Sequence, residues 1–507
     1  MHERRWIPAA ALGLAIAAWA PPVAAQEGEP EEPPDRDPGW DDVPAAPPRA
    51  HGPTTPPPRT PSAATVDQRR PVPAMAPPGD GDDAGDGAIW IPRVAFFPVW
   101  AVTEYLVRKP LEASFLALEE VGILEAAADE PPKPPSATDL AFAPAAQIDA
   151  GFQPMFGVYG RVDNVVVEGW EVRGVALFGG VDVMKTHLQA NAPLAGDSRA
   201  WIEAGALRRD DLLYWGRGPR TVDENQSTWG MQSLDARVSV HVPLLRGDVV
   251  FLEAWMRGTL TEAGNGDCDD AIAVGDGPTT RFACASPTLY ERVEAGSLGW
   301  PPGMAGYGVI GIGTRFGVDL RPNRRGDTGM HFEVYGEQDS DVEAPNTGAW
   351  LRWGGVGTAS LDVTGTDRVL SLRLDARFVE GYGRYEVPIP ELVGAPGLES
   401  DPDRELLRGF RPGRLLGESA IATALEYRWP IWTKADARLE AGLGNAFDRH
   451  LRDFETDLLR FSLSGGIEVP IAHRHRLLFL AGFGTETFDQ GADPTSARIY
   501  VGGTTPL

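Results

Sequence analysis

Leu407, Arg408, Gly409 and Phe410 stand in a long polar stretch that leads through a glycine-flanked turn into a strand-like run over 419–429. An arginine can do one thing there that no other side chain does as well. Its planar guanidinium makes paired, directional hydrogen bonds to carboxylates, and these strengthen in a confined, poorly hydrated space. The run that follows alternates Ala422, Ala424, Glu426 and Arg428 against Thr423, Leu425, Tyr427 and Trp429. Glu426 therefore lies on its polar face. Glu440 stands on the polar face of the next run. Two carboxylates on one face could also suggest acid and base catalysis, but the surrounding arginines favour structural ion pairing.

Other chemistry is thinly represented. No Gly-x-Ser-x-Gly nucleophile elbow and no glycine-rich phosphate loop with its lysine occurs. His473 and His475 fall in an expected short turn among basic residues and read as solvated. Cys268 and Cys284 share one Gly/Asp-rich segment, and an oxidising compartment would join them as a disulfide closing a loop tip. A metal pair with Asp267, Asp269 and Asp270 is the competing reading, without zinc or calcium-loop spacing to support it. We expect no catalytic residues, no metal and no cofactor. The net charge of −26 argues against nucleic acid as a partner, since phosphates would be repelled.

The elements that must position Arg408 read as strands. Leu234, Ala236, Val238, Val240 and Val242 alternate with Asp235, Arg237, Ser239 and His241. Leu370, Leu372, Leu374, Ala376 and Phe378 alternate likewise with Ser371, Arg373, Asp375 and Arg377, and Met330, Phe332 and Val334 with His331, Glu333 and Tyr335. A soluble sandwich would alternate too. The connections decide between them. Short turns are expected near 164–168, 193–198, 244–247, 321–326, 364–366, 431–433 and 471–474. Long loops are expected near 209–228, 261–305, 338–349, 381–417 and 448–457. Short turns at one end and long loops at the other, joining about sixteen strands, predict an all-β, transmembrane antiparallel barrel over residues 138–507. A sheet can cross hydrocarbon only by closing on itself.

The arginine-glycine-aromatic tip on the sixth long loop, with Ala-Leu-Glu-Tyr-Arg-Trp-Pro following, resembles the loop signature of the BamA/TamA outer-membrane barrel family, the bacterial surface antigens. Leu407 departs conservatively from the residue usual before the arginine. The resemblance implies that the loop folds into the lumen and that Arg408 meets acidic residues on the next two strands. Glu426 matches the first. The usual second position is Gly442 here, and Glu440 is the substitute on the same side. The stretch Tyr214, Trp215, Gly216, Arg217, Gly218 echoes an aromatic-glycine stretch of the family. The resemblance further implies a weak seam between the first and last strands, near 141–148 and 497–507, where Gly502 and Gly503 leave few cross-strand contacts. It implies insertion or translocation of outer-membrane proteins or lipids, with outer-membrane lipid and unfolded outer-membrane proteins or lipid clients as partners. The family's substrate-capturing POTRA modules find no counterpart in residues 26–137, so a passive channel or structural anchor is the alternative.

Ahead of the barrel, residues 1–25 read as a secretory signal peptide: Arg4 and Arg5, an apolar stretch to Ala20, and cleavage after Ala25. Residues 26–87 are rich in Pro, Ala, Gly, Asp and Glu and cannot bury a core, so they are expected to form a disordered linker in the periplasm. Residues 88–137 should hold a short helical segment. Pro110 suits a first turn, and Leu111, Phe115, Leu118 and Val121 form one apolar stripe. This segment is expected to plug the barrel mouth, lie in the membrane interface or pack on the rim.

Overall fold

The computed structural model describes Lys109 and residues 138–504, apart from 166–167, 246–247, 267–286, 322–327, 344–347, 366, 384, 399–404, 433–434 and 473–474. The expected signal peptide, linker and helical stripe, Cys268 and Cys284, and His473 all lie outside the described residues. Sixteen described strands form one closed antiparallel barrel. In chain order they are β1 (Asp139–Asp149), β2 (Met155–Asp163), β3 (Glu171–Gly180), β4 (Val183–Pro193), β5 (Arg199–Tyr214), β6 (Ser227–Pro243), β7 (Val250–Asn265) and β8 (Tyr307–Asp319). They continue with β9 (Gly329–Asp341), β10 (Ala349–Asp362), β11 (Val369–Gly381), β12 (Ser419–Trp432), β13 (Ala435–Phe447), β14 (Arg460–Ala472), β15 (His475–Thr487) and β16 (Pro494–Thr504). Each strand pairs with its sequence neighbour, and β1 with β16.

The period-two pattern becomes two surfaces. Val238, Val240, Val242, Met330, Phe332, Val334, Leu372 and Leu374 are all exposed on the outer wall. Exposed apolar side chains on the outside of a closed barrel suit hydrocarbon rather than water. Their alternates point inward as ion pairs: Arg237 with Glu253 at 2.8 Å, and Arg377 with Asp375. The lumen is not polar throughout. Ala143, Ala145, Met155, Tyr159 and Leu177 make an apolar patch, and Leu478, Leu480 and Tyr500 make another across the junction of β15 and β16.

Short turns and long loops sort to opposite ends, with corrections at the long-loop end. Residues 209–214, 261–265 and 338–341, expected in loops, extend β5, β7 and β9. Charged residues such as Arg209 and Asp211 pair with each other there, and after a register shift between Arg209 and Leu212 the ladder resumes. The second connection at that end, between Gly180 and Val183, is a tight turn rather than a long loop. The fourth loop carries a short helix α1 (Leu289–Glu294), started by a capping box in which Thr288 and Glu291 satisfy each other's backbone N–H groups.

Candidate functional site

The sixth loop, 382–418, leaves β11 and narrows to a neck where Val393 and Gly394 pair with Gly417 and Leu416. Beyond the neck it enters the lumen. Leu406, Leu407, Phe410, Leu415 and Leu416 are buried in one apolar cluster with Trp229, Tyr307 and Trp350 of the walls. The tip turns at Leu407, whose φ of 58° is left-handed, and the Phe410 N–H donates to the Leu407 carbonyl at 3.0 Å. That conformation costs a leucine about 1–2 kcal/mol, offset by complete burial of its side chain.

Arg408 is 1 % exposed. Its Nη1 donates to Glu426 Oε2 at 2.6 Å and to Glu440 Oε2 at 2.7 Å. Glu426 and Glu440 stand directly opposite each other on β12 and β13. Two carboxylates so placed repel, and the guanidinium nitrogen between them answers both. The Gly409 N–H donates to Ser462 Oγ of β14 at 2.9 Å. A Cβ on Gly409 would lie 2.0 Å from the Phe483 carbonyl oxygen, so only glycine fits against β15. The Phe410 ring lies over Gly484, where an added Cβ would meet it at 2.3 Å. The structure thus brings Arg408, Gly409, Phe410, Glu426 and Glu440 together, with the tip spread over β12 to β15.

Three more ion clusters and one tyrosine–carboxylate hydrogen bond hold this loop or its neighbours, and sequence reading missed their members. Arg498 of β16 is fully buried. It donates to Asp149 at the end of β1 at 2.8 Å, to Glu405 of the loop at 2.8 Å and to the Phe410 carbonyl at 3.3 Å. On the far wall, Glu391 accepts from Arg257 at 3.1 Å and from the Tyr307 hydroxyl at 3.1 Å, and pairs with Arg352. The Tyr385 hydroxyl donates to Asp341 at 3.0 Å. Arg414 donates to Thr221 Oγ1 at 2.6 Å and to Glu486 at 3.0 Å, with its guanidinium over the Trp215 ring. Burial, reinforced by neighbouring Arg460, lowers the Arg414 guanidinium to about 10, still charged at neutral pH. The third loop meets the sixth here too: the Gly218 N–H donates to the Leu416 carbonyl at 2.9 Å. Arg257, Arg352 and Arg498 stand on strands, where alternation is the signal that could have turned them inward. Their loop partners carry no such signal.

The seam is short. Among the described residues, Gln147, Ile148 and Asp149 pair with Gly502, Val501 and Tyr500, three positions, where β1 and β2 share nine and β15 and β16 share ten. One further bond runs from the Ala150 N–H to the Ile499 carbonyl at 2.9 Å. The Asp149–Arg498 pair crosses this same junction. Among the described residues no group of three or more His, Cys, Asp or Glu side chains is placed to hold a metal ion.

The barrel has sixteen strands and a sixth loop packed in its lumen, the two architectural features expected from the sequence. No family sequence model matches the chain, and no curated protein matches it by sequence. Among solved structures it is similar to the crystal structure of BamA from Haemophilus ducreyi lacking POTRA domains 1-3, at 12% identity and a TM-score of 0.47, over 73% of this chain and 71% of that one. It is similar to CdiB from Acinetobacter baumannii at 10% identity and a TM-score of 0.41, over 72% of this chain and 65% of that one. The translocator domain of the autotransporter NalP from Neisseria meningitidis follows at 10% identity and 0.22, over 79% and 98%. At these scores the likeness is one of barrel architecture, and strand number and closure rest on the pairing itself.

Proposed function

We propose that this chain is an outer-membrane barrel that inserts or translocates outer-membrane proteins or lipids through the seam between β1 and β16, with the sixth loop holding that seam. The observation that carries this reading is the three-pair seam bridged from inside by Asp149, Arg498 and Glu405. Parting β1 from β16 there breaks few backbone bonds. It would expose a row of N–H and C=O groups that an incoming strand can pair with. Glu405 sits close in sequence to Arg408, so the loop that grips β12 and β13 also touches the last strand. Its seating and the seam's closure are then coupled.

The test uses the purified protein in liposomes, with protease-protected assembly of an unfolded reporter barrel and conductance read on the same preparation. Assembly should run faster than on empty liposomes and slow on Arg408→Ala. A disulfide across the seam, Ile148→Cys with Val501→Cys in a Cys268→Ser, Cys284→Ser background, should abolish the acceleration. Unchanged acceleration in the oxidised, folded variant would overturn the seam route. The second reading, a structural anchor, draws on the apolar cluster that the loop makes with the barrel walls, and a passive channel would need that loop displaced. It requires no acceleration in any of these variants.

A further inference from the structure

The long-loop end carries a cavity that neither the loop tip nor the seam uses. Its volume is about 800 Å³, and residues of the third, fourth, sixth and seventh loops line it. That is the size of a ligand site. The buried part of the lining is apolar: Trp215, Pro301, Val387, Ile389 and Leu392. Trp300 is 57 % exposed on the same lining, and Tyr290 meets it edge to face with centroids 5.2 Å apart. The charges around this lining are lopsided. Both of its arginines are engaged by carboxylates, Arg217 by Glu418 at 3.7 Å, and Arg220 by Asp489 at 2.7 Å and Glu455 at 3.9 Å. Glu386, Asp448 and Asp453 are exposed, and no cation among the described residues pairs with them. Two neutral polar groups are open as well. Tyr214 is 5 % exposed and lines the cavity, yet its hydroxyl has no hydrogen-bond partner among the described residues. A hydroxyl so buried normally has one. The carboxamide of Asn225, exposed on the same lining, makes no hydrogen bond among the described residues either.

We propose that this cavity binds a short extended peptide in which lysine or arginine alternates with apolar residues. Successive side chains of an extended chain point to opposite sides. The apolar ones then face Val387, Ile389 and Leu392, while the cations meet Glu386, Asp448, Asp453 and the open face of Trp300. The peptide's own backbone uses the neutral groups. The Tyr214 hydroxyl donates to a peptide carbonyl, and the Asn225 carboxamide both donates and accepts. These two groups and the apolar lining separate a peptide from a polyamine, which carries neither carbonyls nor branched apolar side chains. The long loops of an outer-membrane barrel face the cell exterior, so the ligand arrives from outside, and its binding requires no opening of the seam.

Fluorescence anisotropy of a fluorescein-labelled Lys-Leu-Lys-Leu-Lys peptide, added to the full-length protein in phosphatidylcholine nanodiscs, tests this. A chain of net charge −26 attracts any cation at long range, so a charge-matched control is needed. Glu386→Gln with Asp453→Asn should bind the peptide roughly tenfold more weakly, and Tyr214→Phe about threefold more weakly. Trp300→Ala should also weaken it. Glu168→Gln with Asp197→Asn removes the same charge from exposed positions at the short-turn end and should leave binding unchanged. Heat-modifiable gel mobility checks that each variant keeps its barrel. Equal losses in the two double variants would reduce the effect to net charge and overturn the site. So would equal binding of Glu-Leu-Glu-Leu-Glu, no saturable binding of the basic peptide, or displacement of that peptide by spermine as readily as by its own unlabelled form.

Discussion

The junction of β6 and β7 and the junction of β1 and β16 solve the same closure problem by different means. The first runs through fifteen paired positions, and its lumenal pair Arg237–Glu253 adds to a ladder already complete. The second has three paired positions and relies on Arg498, which ties β1, β16 and the sixth loop in one buried knot. Where the backbone ladder is long, a side-chain pair is an accessory. Where it is short, the side chains determine whether the junction stays shut.

The largest effect that would sharpen this contrast is expected for Arg498→Ala. It leaves Asp149 and Glu405 buried without their cation, a loss of roughly 3–5 kcal/mol. Hydrogen exchange should show early opening of β1 while β6 and β7 remain protected. The matching change Arg237→Ala, at a side chain 27% exposed, should cost about 1 kcal/mol or less and leave the exchange of β6 and β7 unchanged. Equal effects at both junctions would break the comparison.

Gly409→Ala comes next. Its Cβ would sit 2.0 Å from a backbone oxygen that cannot step aside cheaply, so the tip should leave β15, and a protease should cut the loop near Arg408. An undisturbed tip would mean that β15 yields more readily than a paired strand should.

The smallest effect concerns Tyr385. Burial and the hydrogen bond to Asp341 hold its hydroxyl above the ordinary tyrosine range. Its stabilisation is therefore intact below about pH 10 and is lost only as pH rises through the higher folded value. Tyr385→Phe should weaken the loop by about 1 kcal/mol at pH 7 and by progressively less in strong alkali, read by denaturant unfolding at a series of pH values. The seam should not respond.

Much of the barrel was legible because a wall between lipid and lumen imposes a period of two on every strand. Strand number, the inward face of Glu426 and the outward face of Leu374 follow from parity. The ends of β5, β7 and β9 were not legible, because polar residues beyond the membrane resemble loop residues whether or not the ladder continues. Parity set Tyr427 and Trp429 on the lipid-facing side with Leu425, yet both are buried where Leu425 is exposed, a difference that alternation does not encode. Glu440 could be proposed from its face. Glu391 and Glu405 could not, since a loop has no repeat from which to infer the direction of a side chain. Alternation along the last strand could have turned Arg498 inward, but its role needs three chain segments brought together from far apart in sequence.

The neck formed by Val393, Gly394, Leu416 and Gly417 has a kinetic consequence. By pinning the loop near both ends it cuts the free chain by nearly half, worth about 0.5 kcal/mol of closure entropy. It also confines a detached Arg408 to a small volume close to its carboxylates, raising their effective concentration to one another. A tip released when the seam parts would therefore recapture Glu426 and Glu440 quickly, so each opening would carry its own means of resetting.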